Sequence, residues 1–342
     1  MAPIFEAKFA WTEDDTKFWT SIINTAGVIG ATIGCLAGGM AISIGRRKAG
    51  LIWQLLAIAG AGICMIAHPI CFAIGRLLIG IAAGIYNNVM GKSLDETVPI
   101  EVSWQFGILV NTYIVLGLTF VYALGVILPT EKENFSDDEM WRVILGMPAV
   151  IGIVNILLFI VYYRQEPVAF SVANGKEAEA KALLRRAYQS KGVENFDELI
   201  NQKHEYIKNN SSKDTSSTGL CEAMFGAKYR RATWTCILVN SLHVLTGIHA
   251  VLVYISQLLL TVKEDTKGEF PISPVLGGFI AAMINLIGCV AALIPMRIVG
   301  RKTIFQMGYG IMSASLFMIG IAYLKEWYLT MFIMVCVFQF IF

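Results

Sequence analysis

Charge is scarce in this sequence. Of 342 residues only 15% are Asp, Glu, Lys or Arg, against about 25% in a soluble domain. Such a chain is not a soluble enzyme, a nucleic-acid binder or a disordered protein. The net charge of +2 is too small to point to a polyanionic partner. Ligand-bearing patterns are also missing. There are four histidines, and the cysteines (35, 64, 71, 221, 236, 289 and 336) are odd in number with no CxxC or Cys/His spacing. Neither a zinc site nor a disulfide framework is expected. No nucleophile elbow, phosphate-binding loop or cofactor fingerprint occurs, so no catalytic residue, metal or cofactor is expected and the chain reads as a non-enzyme. Residues 1–17 are mixed and the first apolar run is too long for a signal core, so no cleavable leader is expected.

In place of charge there is apolar sequence, at 56% of residues and a mean hydropathy of +0.62. It is gathered into long, nearly charge-free runs that lack the alternation of a strand. In lipid, where every backbone group must be satisfied internally, such runs are helices. Nine spans are expected, over 18–44, 50–69, 71–91, 107–129, 142–163, 233–260, 274–298, 303–324 and 327–342. The expected fold class is an all-α polytopic membrane protein.

Basic residues set the orientation. Nineteen of the 27 Lys and Arg fall in the loops on one side (45–49, 92–106, 164–232 and 297–302), which reads as cytoplasmic or matrix-like. Arg76 lies within a span, and the remaining seven are mixed with acids on the other side. Segment 164–232 is the one long polar stretch. Within it, 175–189 runs acid-first and base-last, as an amphipathic helix prefers, and 209–218 reads as a flexible linker. The domain expectation is a five-span half over 1–163, a helical linker over 164–232 and a four-span half over 233–342. Asn134-Phe135-Ser136 is a glycosylation sequon on the less basic side. The membrane itself, whether plasma membrane or an organelle such as the mitochondrial inner membrane, is left open.

Two tight basic turns echo each other, Gly45-Arg46-Arg47-Lys48 and Gly300-Arg301-Lys302-Thr303. Repeats on either side of a long central loop are a mark of secondary transporters. The pattern extends along the chain: GRLLIGIAAG (75–84), Glu96-x-x-Pro99, Trp141-Arg142, Glu166 followed by Gly175-Lys176 and an Ala/Glu/Arg helix, LTGIHA (245–250) and Asn285. In this order the segments resemble the sugar-porter branch of the major facilitator superfamily. The resemblance implies a helical bundle of two pseudo-repeats with a cytoplasmic helical insert. It maps the nine spans onto the family's second to tenth.

The resemblance also implies site residues. Asn111 lies where the family has a sugar-contacting Gln. His243 and Val244 take two further Gln positions, Thr246-Gly247 keeps a helix-breaking pair, His249 replaces Asn, Tyr254 matches a tyrosine, and Asn285 matches an Asn. Amides suit sugars because each donates and accepts at once. His243 and His249 lie about 120° apart on a straight helix. A break at Thr246-Gly247 would bring them together, for a proton-linked role or for ordinary interhelical hydrogen bonds. A cytoplasmic gate is implied at Arg46, Arg47, Glu96, Glu166 and Arg301. The departures are Ile42, Arg297, Ser103, Trp104 and the Gln165–Phe170 stretch, where the family's gate charges are lost or reversed. Gly30-x-x-x-Gly34-x-x-x-Gly38 and Gly80-x-x-x-Gly84 read as close-packing faces.

Two functions follow. The first is transmembrane transport of a sugar-like or other small polar solute by alternating access. The alternative is a transport-incompetent structural or accessory subunit of a larger membrane complex that retains the fold; the unmatched spans, the altered gate charges and the replaced Gln positions motivate it. The expected partners are the lipid bilayer, a small polar solute and, on the second reading, other membrane subunits. No nucleic acid is expected.

Overall fold

The structure, a computed structural model, describes residues 11–98, 103–127, 140–163, 166–188, 196–214, 220–266, 271–292 and 294–341. The sequon at Asn134 lies outside them. All regular structure among the described residues is helical: α1 (Glu13–Ser43), α2 (Arg46–Cys64), α3 (Pro69–Thr97), α4 (Ser103–Ile127), α5 (Met140–Val161), α6 (Val168–Ala173), α7 (Glu177–Ala187), α8 (Phe196–Asp214), α9 (Leu220–Phe225), α10 (Arg230–Leu245), α11 (Ile248–Asp265), α12 (Pro274–Ala291), α13 (Pro295–Ile298), α14 (Arg301–Leu324) and α15 (Tyr328–Ile341). Six of them (α1, α3, α4, α5, α12 and α14) are long and apolar enough to cross a bilayer on length and composition. The chain is an integral, multi-pass helical membrane protein.

Helix ends follow local chemistry. Thr12 caps α1 in a reciprocal box with Asp15. His68 and Ser273 cap α3 and α12, each followed by Pro at the first helical position. The expected span over 233–260 is two helices, α10 and α11, divided at Thr246-Gly247, where Gly247 takes φ +79°. Helix α8 runs through Asp214, into the stretch expected as linker. Phe196, Ile200, His204 and Ile207 recur at helical spacing and turn inward, and a helix so anchored carries its polar end along.

The residues group into two compact units, 1–103 with 128–217, and 104–127 with 218–342. In the first unit α1 lies along α3 with almost no side chain between them. A Cβ on Gly30 would strike the Leu77 carbonyl, and one on Gly34 the Ile81 carbonyl. From α3, Cβ atoms on Gly80 and Gly84 would strike the carbonyls of Gly27 and Ala31. Lipid tails are as apolar as leucine, so close backbone contact is what favours such a pair over lipid. Asn88 adds a 2.9 Å hydrogen bond from its amide to the Cys35 carbonyl. Helix α2 packs on α3 and α5, and Trp141 is buried edge-on to Phe72. Outside the spans, α6, α7 and α8 enclose a small core of Val168, Ala180, Leu184 and Ile200.

In the second unit Ile255, Leu259 and Val262 of α11 pack with Ala281, Ala322, Met331, Phe332 and Val335. Helix α15 crosses α12 closely, since a Cβ on Gly288 would strike the Phe340 carbonyl. Helix α4 is held by Thr119, whose hydroxyl reaches the Ala282 carbonyl at 3.2 Å.

Candidate functional site

The residues of the first unit expected to form a gate cluster at the α1–α2 turn. Gly45 makes the turn at φ +112°, a region closed to most side chains. Arg46 opens α2 and places one guanidinium nitrogen 2.6 Å from Glu96 Oε1 on α3. The two side chains are 12% and 7% exposed, so the pair is largely desolvated. The same guanidinium donates to the Ile42 carbonyl at 3.3 Å and lies 4.9 Å over the Phe170 ring. Glu96 Oε2 is buried with no hydrogen-bond partner among the described residues. Glu166 lies between α5 and α6. Its two carboxylate oxygens accept from the backbone N–H of Arg47, filling the N-cap role that side-chain-less Gly45 leaves open. Four of the five expected gate residues therefore meet; the Arg301 side chain lies outside the described set. In the adjoining insert, Lys208 donates to Glu177 at 2.6 Å. That hydrogen bond holds the Glu177 carboxyl below its usual value and raises the Lys208 ammonium.

The solute-site candidates lie in the second unit. Asn111 on α4 is exposed on the wall of a cavity of about 970 Å³, with Cys289, Pro295, Met307 and Phe340 among its other lining residues. Its amide donates to Cys289 Sγ at 3.6 Å. Asn285 is one helical turn from Cys289 on α12. It is buried and donates to the Gln339 carbonyl of α15 at 2.8 Å. Thr246 sits half-buried at the α10–α11 break. His243, His249 and Tyr254 fall on α10 and α11, and their side chains lie outside the described set.

The structure adds one residue that sequence reasoning missed. Gln339 is fully buried, and neither atom of its amide has a hydrogen-bond partner among the described residues. The available signal was its position as a lone amide in the apolar run 328–342. An unpaired amide in that setting is costly. Asn111 on α4 thus lines the cavity, while Asn285 and Gln339 lie buried on α12 and α15, which also contribute to its wall; amides donate and accept hydrogen bonds but do not carry out covalent chemistry.

Known proteins resemble the chain along nearly its whole length. Residues 4–342 match the family described as sugar (and other) transporter. Hexose transporter 1 of Toxoplasma gondii is 25% identical over 336 residues, covering 93% of this chain and 57% of that protein. The facilitated glucose transporter member 3 of solute carrier family 2 is 26% identical in Canis lupus familiaris over 91% of this chain, and 28% in Ovis aries over 87%. The alignments span 60% and 58% of those proteins. The chain thus spans less than two thirds of the length of these relatives. Among solved structures, the major facilitator proton:xylose symporter XylE bound to 6-bromo-6-deoxy-D-glucose superposes with a TM-score of 0.78 at 19% identity, over 99% of this chain and 72% of that one. The inward open conformation of XylE from E. coli gives 0.70 at 18% identity, over 100% and 75%. These likenesses share the fold. With the family match over residues 4–342, the chain belongs to the family of sugar (and other) transporters.

Proposed function

We propose that the protein moves a sugar-like or other small polar solute across the bilayer by alternating access, without covalent chemistry. The observation that carries this reading is the cavity beside Asn111, with the Asn285 and Gln339 amides buried on the neighbouring helices. Amides at membrane depth are kept where they face a cavity or a partner, and a polyhydroxylated solute offers each of them both a donor and an acceptor. Asn111, His243, Thr246, His249, Tyr254 and Asn285 are assigned to the solute, with Gln339 added. Arg46, Arg47, Glu96, Glu166 and Arg301 are assigned to the gate on the basic side. The working division is two pseudo-repeat halves, 1–163 and 233–342, joined by the insert 164–232. The relatives named above are a hexose transporter and facilitated glucose transporters, which favours a sugar-like solute. Nothing among the described residues or the relatives supports the accessory-subunit reading.

The test is radiolabelled sugar uptake by purified protein in proteoliposomes. The reading expects saturable, stereoselective flux that falls in Asn111→Ala. Flux that is absent or non-saturable in folded protein, across a panel of hexoses and pentoses, would overturn it.

A further inference from the structure

Helices α9 and α10 meet at a corner built by Gly226 and Tyr229. The Trp234 indole N–H donates to the Met224 carbonyl at 3.2 Å, tying the second turn of α10 to the end of α9. Around this corner Lys228, Arg230 and Arg231 are all exposed. So are two large aromatics, Phe225 at 66% and Trp234 at 47%. Arg230 and Arg231 precede Trp234 by four and three residues, so the three share one side of α10, with the indole about 6 Å further along the axis. A guanidinium set one turn above an indole matches the layering of a leaflet, phosphate above and amphipathic aromatic below. Lys228 lies 4.9 Å over the Tyr229 ring.

Glu222 is the single acid in 218–233. Over 292–304 the same side of this unit adds Arg297, Arg301 and Lys302 and no acid. Residues 261–273 and 324–328, on the opposite side by the order of the spans, carry three lysines and four acids. Topology alone accounts for basic charge on one side. It does not call for a hydrogen-bonded corner that fixes exposed aromatics beside the cations.

We propose that the α9–α10 corner is a binding site for an anionic phospholipid headgroup. Arg230 and Arg231 fork onto the phosphate oxygens, Lys228 meets the second anionic group, and Phe225 and Trp234 lie at the glycerol level. Each cation near an anionic surface contributes roughly fivefold to occupancy, so the three favour an anionic over a zwitterionic lipid at least tenfold. The site is independent of transport and needs only the membrane placement.

The full chain is placed in phosphatidylcholine nanodiscs with and without phosphatidylserine, and retained lipid and melting temperature are measured. Wild type is expected to enrich phosphatidylserine and to melt higher in its presence. Lys228→Gln/Arg230→Gln/Arg231→Gln loses both effects, while Lys176→Gln/Lys181→Gln/Lys203→Gln in the insert keeps them. Equal retention of the two lipids by wild type overturns the proposal. So does an equal loss in the insert variant, which would mean diffuse charge, or displacement by soluble glycerophosphoserine, which would mean a free-anion site. Lipid enrichment without sugar flux would sink the transport reading and leave this one standing.

Discussion

Glu166 accepts hydrogen bonds from the backbone N–H of Arg47 with both carboxylate oxygens, at 3.2 and 3.1 Å, across 119 residues of sequence. Helix α2 is thus capped from outside, by a residue at the entrance to the insert. A carboxylate at a helix N-terminus is favoured by the helix dipole and by the orphan N–H groups it meets. Glu166→Ala should lower stability by about 1–2 kcal/mol, with Glu166→Gln recovering part. Chemical unfolding of the detergent-purified protein measures it, and an unchanged midpoint in Glu166→Ala would remove the capping role.

Arg46 and Glu96 behave as a desolvated pair. Arg46→Met leaves a buried carboxylate without its cation and should cost about 3 kcal/mol or more. The double variant Arg46→Met/Glu96→Leu should lose less than the single one, because it buries no unpaired charge. A double-mutant cycle on thermal unfolding reads the coupling, and additive losses would show that the pair does not interact.

Glycines on one helix should differ sharply. A Cβ on Gly34 meets the α3 backbone, whereas one on Gly39 meets nothing within 4 Å. Gly34→Ala should destabilise by about 1–3 kcal/mol through forced separation of α1 and α3. Gly39→Ala should be neutral or gain up to about 1 kcal/mol from the lower entropy of the unfolded chain. Melting temperatures of the two variants suffice to tell.

Asn111 and Asn285 should separate binding from stability. Asn111 is exposed on the cavity wall, so Asn111→Ala should raise the KM for uptake about 2–10-fold with little change in melting. Asn285 is spent on the Gln339 carbonyl, so Asn285→Ala should lower stability by about 1–2 kcal/mol as well. If Asn285→Ala melts like wild type, that hydrogen bond is not holding α12 to α15.

Acid should loosen the insert slightly. Glu177 titrates below its ordinary value of 4.5 because Lys208 donates to its carboxylate. A lowered folded-state value means the contribution is present above 4.5 and is lost as pH falls through the folded value. Limited proteolysis of 168–214 should quicken over that acid window in wild type and change less in Glu177→Gln. Both side chains are more than half exposed, so the effect should be small and weaken further with salt.

Much of this was legible in the residues. The break in the 233–260 run could be read from Thr246-Gly247 because glycine alone enters that torsion without strain. The small-residue faces of α1 and α3 were visible as spacings. That they face each other was not, since spacing names a face and not its partner. Asn285 could be picked out as an amide at membrane depth, but its engagement with α15 could not be foreseen, because the acceptor is a main-chain carbonyl such as every residue carries. Gln339 stayed hidden for the opposite reason: one amide in an apolar run gives no pattern to count. Within the expected helical linker the bounds of α8 could not be read, because its inward stripe is diluted by charge.

Gly247 has a consequence for how this protein can be dissected. Where α10 stops and α11 starts, main-chain groups lose their in-helix partners; the Val244 carbonyl is met by Gly247 N–H, and the Gly247 carbonyl by Val251 N–H. Whatever polarity the remaining main-chain groups offer belongs to peptide bonds. Alanine scanning removes side chains and leaves those bonds in place. A scan across 243–250 would therefore undercount this stretch, with its largest effect expected at the one position, Gly247, whose side chain is already absent.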